Sequence, residues 1–595
     1  MRQKVIDLFT EALETLRSRG VLQVESLPRF TVDAPKNPEH GDFAVNAALV
    51  LAKPARQKPR DLAQAIIDAL DDSGGIVEGT EIAGPGFINV RLSSRLWQGV
   101  IGDIEAAGAR FGCGEPGSRG HINVEYVSAN PTGPLHVGHG RGAVVGDALT
   151  RLLAAAGYQV TREYYINDHG NQVDTLARSL HLRYQELHGR SVEFPTDAYP
   201  AEYVRDIART LVDAHGDRFL DAEPDAWMDL FRQQGMQANL DSIQADLQAL
   251  GVVFDVWTRE SSLHASGEVR GVVEVLAAQG NSYLAERSEA VGDKVRREES
   301  KAAKHAGAQQ GGTFARLSAF GDSDDRIVLR SDGRPVYLTA DLAYHRAKLH
   351  RGYDLCIDVF GADHFSHTNT LKAGLAAMGE DPARLEFVLT QIVRLIRGGE
   401  EVRISKRAGN IELLSDLMAA AGHDATRFFF LMRAPGAQFD FDLDVAASRG
   451  LDNPVFYVQY GHARVCAVFR RATDSGVKYK GYDADTAACL TLPEELGLLR
   501  KMAAYGDIIA SSAESREPHR VVYYIEDLIR DFHAYYTRYK RTERILSDDT
   551  QKTQARLGLV NALRQVLRNA LEVLGVAAPE QMDAVVQDED QEVTG

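Results

Sequence analysis

The stretch from His121 to Ile166 constrains the fold more than any other part of the chain. HINVEYV reads as a compact strand and SANPTGPL as a loop rich in Pro, Gly and Asn. HVGHGRGAVVGDALTRLLAAAG then reads as a helix closed by Gly157, and QVTREYYI as a second strand. A strand, a helix and a strand so closely spaced form a βαβ unit. Such a unit begins a parallel sheet, and ligands of parallel sheets gather at the carboxyl edge of the strands.

A chain of 595 residues exceeds what one core supports. The expected class is α/β, with three domains and a tail. Residues 1–110 read as a small α+β unit. Its first helix places Ile6, Phe9, Leu13 and Leu16 on one face, a strand-like run covers Arg29–Asp33, and Ile88, Val90 and Leu92 alternate with polar neighbours. Residues 111–450 read as a Rossmann-like parallel-sheet domain with a polar, largely helical insertion at about 171–310. Strand and helix alternation resumes in DRIVLRSDG, RPVYLT, YDLCIDVFG and LEFVLTQIVRLI. Residues 451–582 carry apolar residues at helical spacing in four long runs, which predicts an all-α bundle. Residues 583–595 form an acidic tail expected to be disordered.

Composition excludes some classes of function. The net charge of −17 argues against bulk attraction to nucleic acid but leaves room for local basic patches. Cys113, Cys356, Cys466 and Cys489 stand singly, so neither a zinc site nor a disulfide framework is expected. No apolar run reaches the ~18 residues of a membrane span, so no membrane partner is expected. The start lacks the apolar core of a secretory signal, which points to the cytoplasm.

The strongest chemical signal is His136-Val137-Gly138-His139, after a strand and a loop and at the start of a helix. Two imidazoles three residues apart share a face of the first turn, where backbone N–H groups and the helix dipole attract anions. Gly138 lets a planar base approach the backbone. Such a site suits a pentacoordinate phosphate that must be positioned and stabilised. In isolation the same four residues would equally fit two surface histidines of a helix cap.

A second signal is the basic loop from Arg403 to Asn410, RISKRAGN, in which Ser405 and Lys406 suit a triphosphate. Basic loops are more often plain solvated surface, so its weight comes from lying across the sheet from HVGH. A third group is Tyr337 and Asp341 with Glu125 and Asn130, because a guanidinium pairs with planar carboxylates. Gly361, Asp363 and His364 close the strand YDLCIDVFG, where a ribose or substrate would be reached; a capped turn explains them as well. In YYTRYKR, from Tyr535 to Arg541, aromatics alternate with cations. That pattern suits stacked bases and phosphates, although some of these tyrosines must belong to the core.

Together these segments resemble the bacterial arginyl-tRNA synthetases along nearly the whole chain. EYVSANPTGPLHVGH resembles the strand, loop and HIGH motif of that family, with Val137 in place of Ile. RISKRAGN resembles a diverged KMSKS loop that keeps Ser405 and Lys406. NPEHGDFA resembles part of the additional N-terminal domain, which in relatives reaches the outer corner of the tRNA. HDATRFFFLMRAP, YVQYGHARV and GVAAPEQM resemble the entry, first helix and end of the anticodon-binding bundle.

The resemblance implies an arginine–tRNA ligase that uses ATP with Mg²⁺, acts on L-arginine and tRNA(Arg), and works as a monomer. It implies that His136, His139 and Lys406 serve catalysis, and that His136, Gly138, His139, Gly361, Asp363, Ser405 and Lys406 bind ATP. It assigns Glu125, Asn130, His136, Tyr337, Asp341 and His364 to arginine, and Tyr457, Tyr460, Tyr536 and Met582 to tRNA. The alternative kept beside it is a catalytically silent tRNA-binding paralogue.

Overall fold

A computed structural model describes residues 1–35, 37–286, 311–402 and 413–582. The N-terminal helix Arg2–Ser18 buries Phe9, Leu13 and Leu16 as expected, but Val5 is buried where the spacing predicts Ile6, and Ile6 is only half-buried. It packs beside a four-stranded antiparallel sheet ordered Val32–Asp33, Phe43–Val45, Phe87–Leu92 and Val77–Ala83. Ile88, Val90 and Leu92 are buried there as expected.

The central sheet has five parallel strands. Their order is Leu385–Thr390, Leu355–Gly361, His121–Glu125, Gln159–Ile166 and Val256–Arg259. The chain builds outward from His121–Glu125 on one side, then returns to build on the other. The crevice between His121–Glu125 and Leu355–Gly361 is therefore the switch point where a ligand is received.

The structure corrects the strand assignments in three places. Val256–Arg259 lies within the stretch expected to be a helical insertion, yet it is an edge strand of the main sheet. Four residues are too few to show a period; the strand is held by its parallel ladder to Gln159–Ile166, with Trp257 stacked on Tyr164 at 4.5 Å. The Arg326–Arg330 strand is not part of the parallel sheet. It joins Ser282–Ala285 and Gly312–Ala315 in a small antiparallel sheet. RPVYLT forms no strand, because Pro335 has no N–H for a ladder and the Tyr337–Leu349 helix starts at once.

LEFVLTQIVRLI is divided at Gln391. There the backbone N–H bonds Pro435 O and the carbonyl accepts from Arg141. Its second half, Val393–Arg397, pairs with Phe439–Asp442 in another sheet.

The helices Asn171–Leu187, Glu202–His215 and Pro224–Ala249 form the helical part of the insertion. The C-terminal bundle contains Pro454–Asp474, Pro493–Ala503, Tyr505–Ser515, His519–Tyr539 and Thr550–Leu574, the last closed by left-handed Gly575. One apolar core runs from the N-terminal unit through the sheet into this bundle.

Arg427, fully buried, pins three elements together. It bonds Asp147 Oδ2 on the helix after HVGH at 2.5 Å. It also bonds Leu250 O at the end of the insertion helices (2.9 Å) and Leu574 O at the end of the last bundle helix (2.9 Å). The expected tail, residues 583–595, lies outside the described residues.

Candidate active site

His136 is the N-cap of the Val137–Ala155 helix, in extended conformation. His139, one turn in, turns back so that its Nδ1 accepts the backbone N–H of His136 at 3.1 Å. This is the return half of a capping box, made by a histidine. The two rings lie 5.7 Å apart. Burial, with His136 beside it, lowers the His139 pKa from 6.5 to about 4. Its ring is therefore neutral near pH 7, with Nε2–H left to donate.

Gly138 faces open space, since an added Cβ would meet nothing within 4 Å. Gly140 and Gly146 differ, because a Cβ there would strike Leu414 and the ring of Tyr126. Gly146 lets the helix lie close to the sheet, and Gly140 lets it lie close to the Leu414–Ala421 helix.

Ser405 and Lys406 lie outside the described residues, with the rest of the loop from Arg403 to Asn410. Just beyond it, Leu413 pairs with His136 in an isolated antiparallel bridge, and Leu414 N donates to Leu135 O at 2.9 Å. The chain that follows Lys406 thus returns to the start of the HVGH helix.

The opposite face of the sheet, under the Tyr337–Leu349 helix, carries a row of carboxylates. In register, Asp358 lies opposite Glu125, and Glu125 opposite Glu163. Adjacent like charges repel, and all three are buried. Cations from one helix and the turn after it offset them. Lys348 Nζ reaches Glu125 Oε2 at 2.6 Å and Asp358 Oδ1 at 2.7 Å. His345 Nε2 lies 2.7 Å from Asp358 Oδ2, and Arg351 holds both oxygens of Glu163 at 2.9 Å. Burial pushes the Glu125 carboxyl above its ordinary range despite Lys348, whereas at Asp358 burial is outweighed by Lys348 and His345 and the pKa falls.

Two further carboxylates, Asp341 and Glu260, stand near this row. Asp341, one turn into the Tyr337–Leu349 helix, accepts from His367 Nε2 at 2.9 Å. Glu260, buried, accepts from the Tyr165 hydroxyl at 3.1 Å. Burial, and then the negative charges of Glu260, Asp341 and Glu125, push the Tyr165 phenol far above its usual pKa. Ser128 Oγ joins Tyr165 to the carboxylate row, since it accepts from Tyr165 N at 3.1 Å and donates to Glu125 at 2.9 Å. Glu260 and Tyr165 were missed in the sequence, and their separation of 95 residues left no local signal. Asp168 brings them together by accepting from Ser261 N and Oγ at 2.8 Å.

The other expected arginine contacts divide in two groups. Tyr337 is 58% exposed at the helix start, with its hydroxyl near Gly170. Asn130 is on the exposed loop, bonded to Gln172 at 2.8 Å, so the segment around Gly170 links the two. Glu125 is almost covered, with its oxygens already bonded to Lys348 and to Ser128 Oγ. Gly361 ends its strand, and Asp363 and His364 follow it, both open to solvent and 3.6 Å apart.

Among the described residues two clusters have the donor types for a metal, and neither has the geometry. Between Glu125 and Asp358 the place of a cation is taken by Lys348. In the second, the rings of His169 and His264 stack at 3.9 Å beside Glu260, so their in-plane lone pairs do not converge.

On the bundle, Tyr457, Tyr460 and Tyr536 come together through two residues that sequence reasoning missed. His533 lies 5.4 Å from Tyr457 and 6.4 Å from Tyr460, and Arg464 covers Tyr536 at 4.5 Å. Arg471 donates to the Tyr536 hydroxyl at 2.9 Å. Beside them is a cavity of about 150 Å³ lined by Arg471, Tyr536, Tyr539, Lys540 and Arg544. Tyr535 belongs to the core. Met582 follows Glu580, whose carbonyl is held by Arg470 of the first bundle helix at 2.8 Å.

Comparison with known proteins identifies the family. Residues 3–92 match the arginyl tRNA synthetase N terminal domain. Residues 112–209 match the catalytic domain of class I (R) tRNA synthetases, and residues 458–582 the DALR anticodon binding domain. The chain is 47% identical to the arginine–tRNA ligase of Anaeromyxobacter sp. strain Fw109-5, over 98% of both chains. It is 42% identical to that of Syntrophotalea carbinolica, over 98% of this chain and 100% of the relative. The fold matches the arginyl-tRNA synthetase of Thermus thermophilus with a TM-score of 0.71, at 21% identity, over 98% of this chain and 100% of that one. Near-full-length identity of this order, with family matches at the N-terminal unit, the start of the parallel sheet and the C-terminal bundle, leaves one conclusion: the chain belongs to the arginyl-tRNA synthetases of class I.

Proposed function

We propose that an acidic pocket at the switch point receives the guanidinium of L-arginine while the start of the HVGH helix receives ATP. The overall reaction is that of an arginine–tRNA ligase. The carboxylate of arginine attacks the α-phosphate of ATP, giving arginyl-adenylate and diphosphate. A terminal ribose hydroxyl of tRNA(Arg) then attacks the activated carbonyl, giving arginyl-tRNA and AMP. The observation that carries this reading is that Tyr165 gathers the acidic segments: its hydroxyl bonds Glu260, its backbone N–H shares Ser128 Oγ with Glu125, and its ring lies 4.4 Å from Tyr344 on the helix that carries Asp341. A fixed cation with planar donors is the ligand such a pocket favours.

In this reading Asp341 and Glu260 pair with the guanidinium, Tyr337 closes over it, and Glu125 acts from the sheet edge. Asn130 and His136 orient the reacting end of arginine, and His364 stands at the rim. His136 and His139 donate to the α-phosphate as negative charge grows there; the neutral state of His139 suits it to hydrogen-bond rather than ion-pair. Gly138 leaves room for the adenine. Gly361 and Asp363 lie toward the ribose, while Ser405 and Lys406 supply charge to the phosphates. Mg²⁺ is assigned to the bound ATP, since this ion keeps its waters and takes phosphate oxygens. Tyr457, Tyr460, Tyr536 and Met582 face the anticodon loop. The enzyme is read as a cytoplasmic monomer; among the described residues no helix is long and apolar enough to cross a membrane.

The silent tRNA-binding alternative predicts loss of His136, His139 or Lys406, and all three are in the sequence. Pyrophosphate exchange measured with each amino acid, with and without tRNA, tests the activity. Exchange is expected with arginine and with tRNA present. Exchange with another amino acid and none with arginine would reject the reading.

A further inference from the structure

The Tyr337–Leu349 helix does two jobs at its two ends. Its first turns carry Tyr337 and Asp341 to the pocket. Its last turn carries Lys348, fully buried, into the carboxylate row. Lys348 touches no open space, so it does not meet substrate. Its ammonium lies between Glu125 and Asp358 and 4.5 Å from the centre of the buried Tyr344 ring. We propose that Lys348 is a positioning residue for arginine: it holds the Glu125 carboxylate charged and fixed in place, and so sets the affinity for the guanidinium. This rests on the reading that Glu125 acts on arginine.

The electrostatic balance around Glu125 supports the assignment. Isolated in a dry sheet edge, a carboxylate takes up a proton and becomes neutral. A neutral Glu125 would lose its attraction for a guanidinium. Every element packed against it contributes to its charge state. Asp358 on the neighbouring strand opposes its ionisation. Glu163 lies opposite on the other neighbouring strand, with its own charge met by Arg351. Tyr165 on that strand is held as a neutral phenol. From the helix, His345 favours ionisation but bonds Asp358 rather than Glu125. Lys348 is the largest single influence that keeps Glu125 charged. Ser128 Oγ, 2.9 Å from the second oxygen, fixes the plane of the carboxylate.

The helix also ties this support to the pocket mechanically. His345 Nδ1 lies 2.7 Å from the carbonyl of Asp341, while its Nε2 bonds Asp358. Asp341, which accepts from His367, is thus set by the same helix that sets Glu125.

The test is the pH profile of kcat/KM for arginine, measured by aminoacylation of tRNA with the whole enzyme. In Lys348→Met the acid limb is expected to move up by about one pH unit or more. The arginine KM near pH 7 should rise about tenfold or more, recover partly at higher pH, and leave the ATP KM unchanged. Asp358→Asn retains Lys348 and removes the opposing charge, so its acid limb should move the other way. This second variant keeps the question open to refutation if Lys348→Met fails to fold.

Glu125→Gln separates the two readings. If it leaves the arginine KM unaltered, Glu125 does not act on arginine and both readings fall. If it raises the arginine KM while Lys348→Met and Asp358→Asn leave the acid limb where the wild type has it, only the role of Lys348 is overturned. A loss that is purely structural would lower kcat at all pH values without moving the limb.

Discussion

His139 earns its place in the helix start by staying uncharged. An unfolded histidine titrates near 6.5, whereas in the folded chain burial lowers this one to about 4. Between those values the unfolded chain binds the extra proton. Stability contributed by His139 is thus complete above about pH 6.5 and is lost as pH falls toward about 4. His139→Gln keeps an acceptor for the His136 N–H but no titration. Its urea midpoint should fall less than the wild type's between pH 7 and pH 5; parallel declines would show that His139 titrates normally. This histidine pair was legible in the sequence because strand, loop and helix start are contiguous. Glu260 was not, because a lone acid gains meaning only when Asp168 and Ser261 draw its segment beside Tyr165.

At the scale of the element, the Val137–Ala155 helix separates two uses of glycine. At Gly146 a Cβ would sit 2.3 Å from the Tyr126 ring, which is itself buried behind the strand. Gly146→Ala should cost about 1–3 kcal/mol by overpacking. At Gly138 the space is open, and alanine is a better helix former by roughly 0.8–1 kcal/mol. Gly138→Ala should thus leave stability equal or higher while raising the KM for ATP. Urea unfolding and ATP titration in pyrophosphate exchange check the pair; a destabilised Gly138→Ala with unchanged ATP KM would reverse the assignment. The helix itself was readable from its period and from Gly157. RPVYLT was misread because its apolar residues suggest a strand, and only Pro335 and the immediate helix start decide against one. Val256–Arg259 was hidden for the opposite reason, being a real strand too short to display alternation.

Across the whole molecule, the catalytic helix, the insertion and the bundle meet at Arg427. Its charge is buried and its pKa lowered by that burial, against which Asp147 is the main opposing influence. Removing the cation alone leaves Asp147 charged in the core. Arg427→Met should therefore cost about 3–5 kcal/mol, and adding Asp147→Asn should recover much of that loss. Additive losses in urea unfolding would mean that the two do not act as a pair. The three-part organisation was legible from changes of period along the chain. The strand order was not, because parallel pairing joins segments as distant as Glu163 and Val256.

Selection for arginine depends on negative charge around the guanidinium. Citrulline has nearly the same shape as arginine and no charge. With tRNA present, kcat/KM should favour arginine over citrulline by roughly 10⁴ or more. Asp341→Asn should shrink that ratio by about 100-fold or more, chiefly through the KM for arginine. A ratio that is the same in the variant and the wild type would contradict the account.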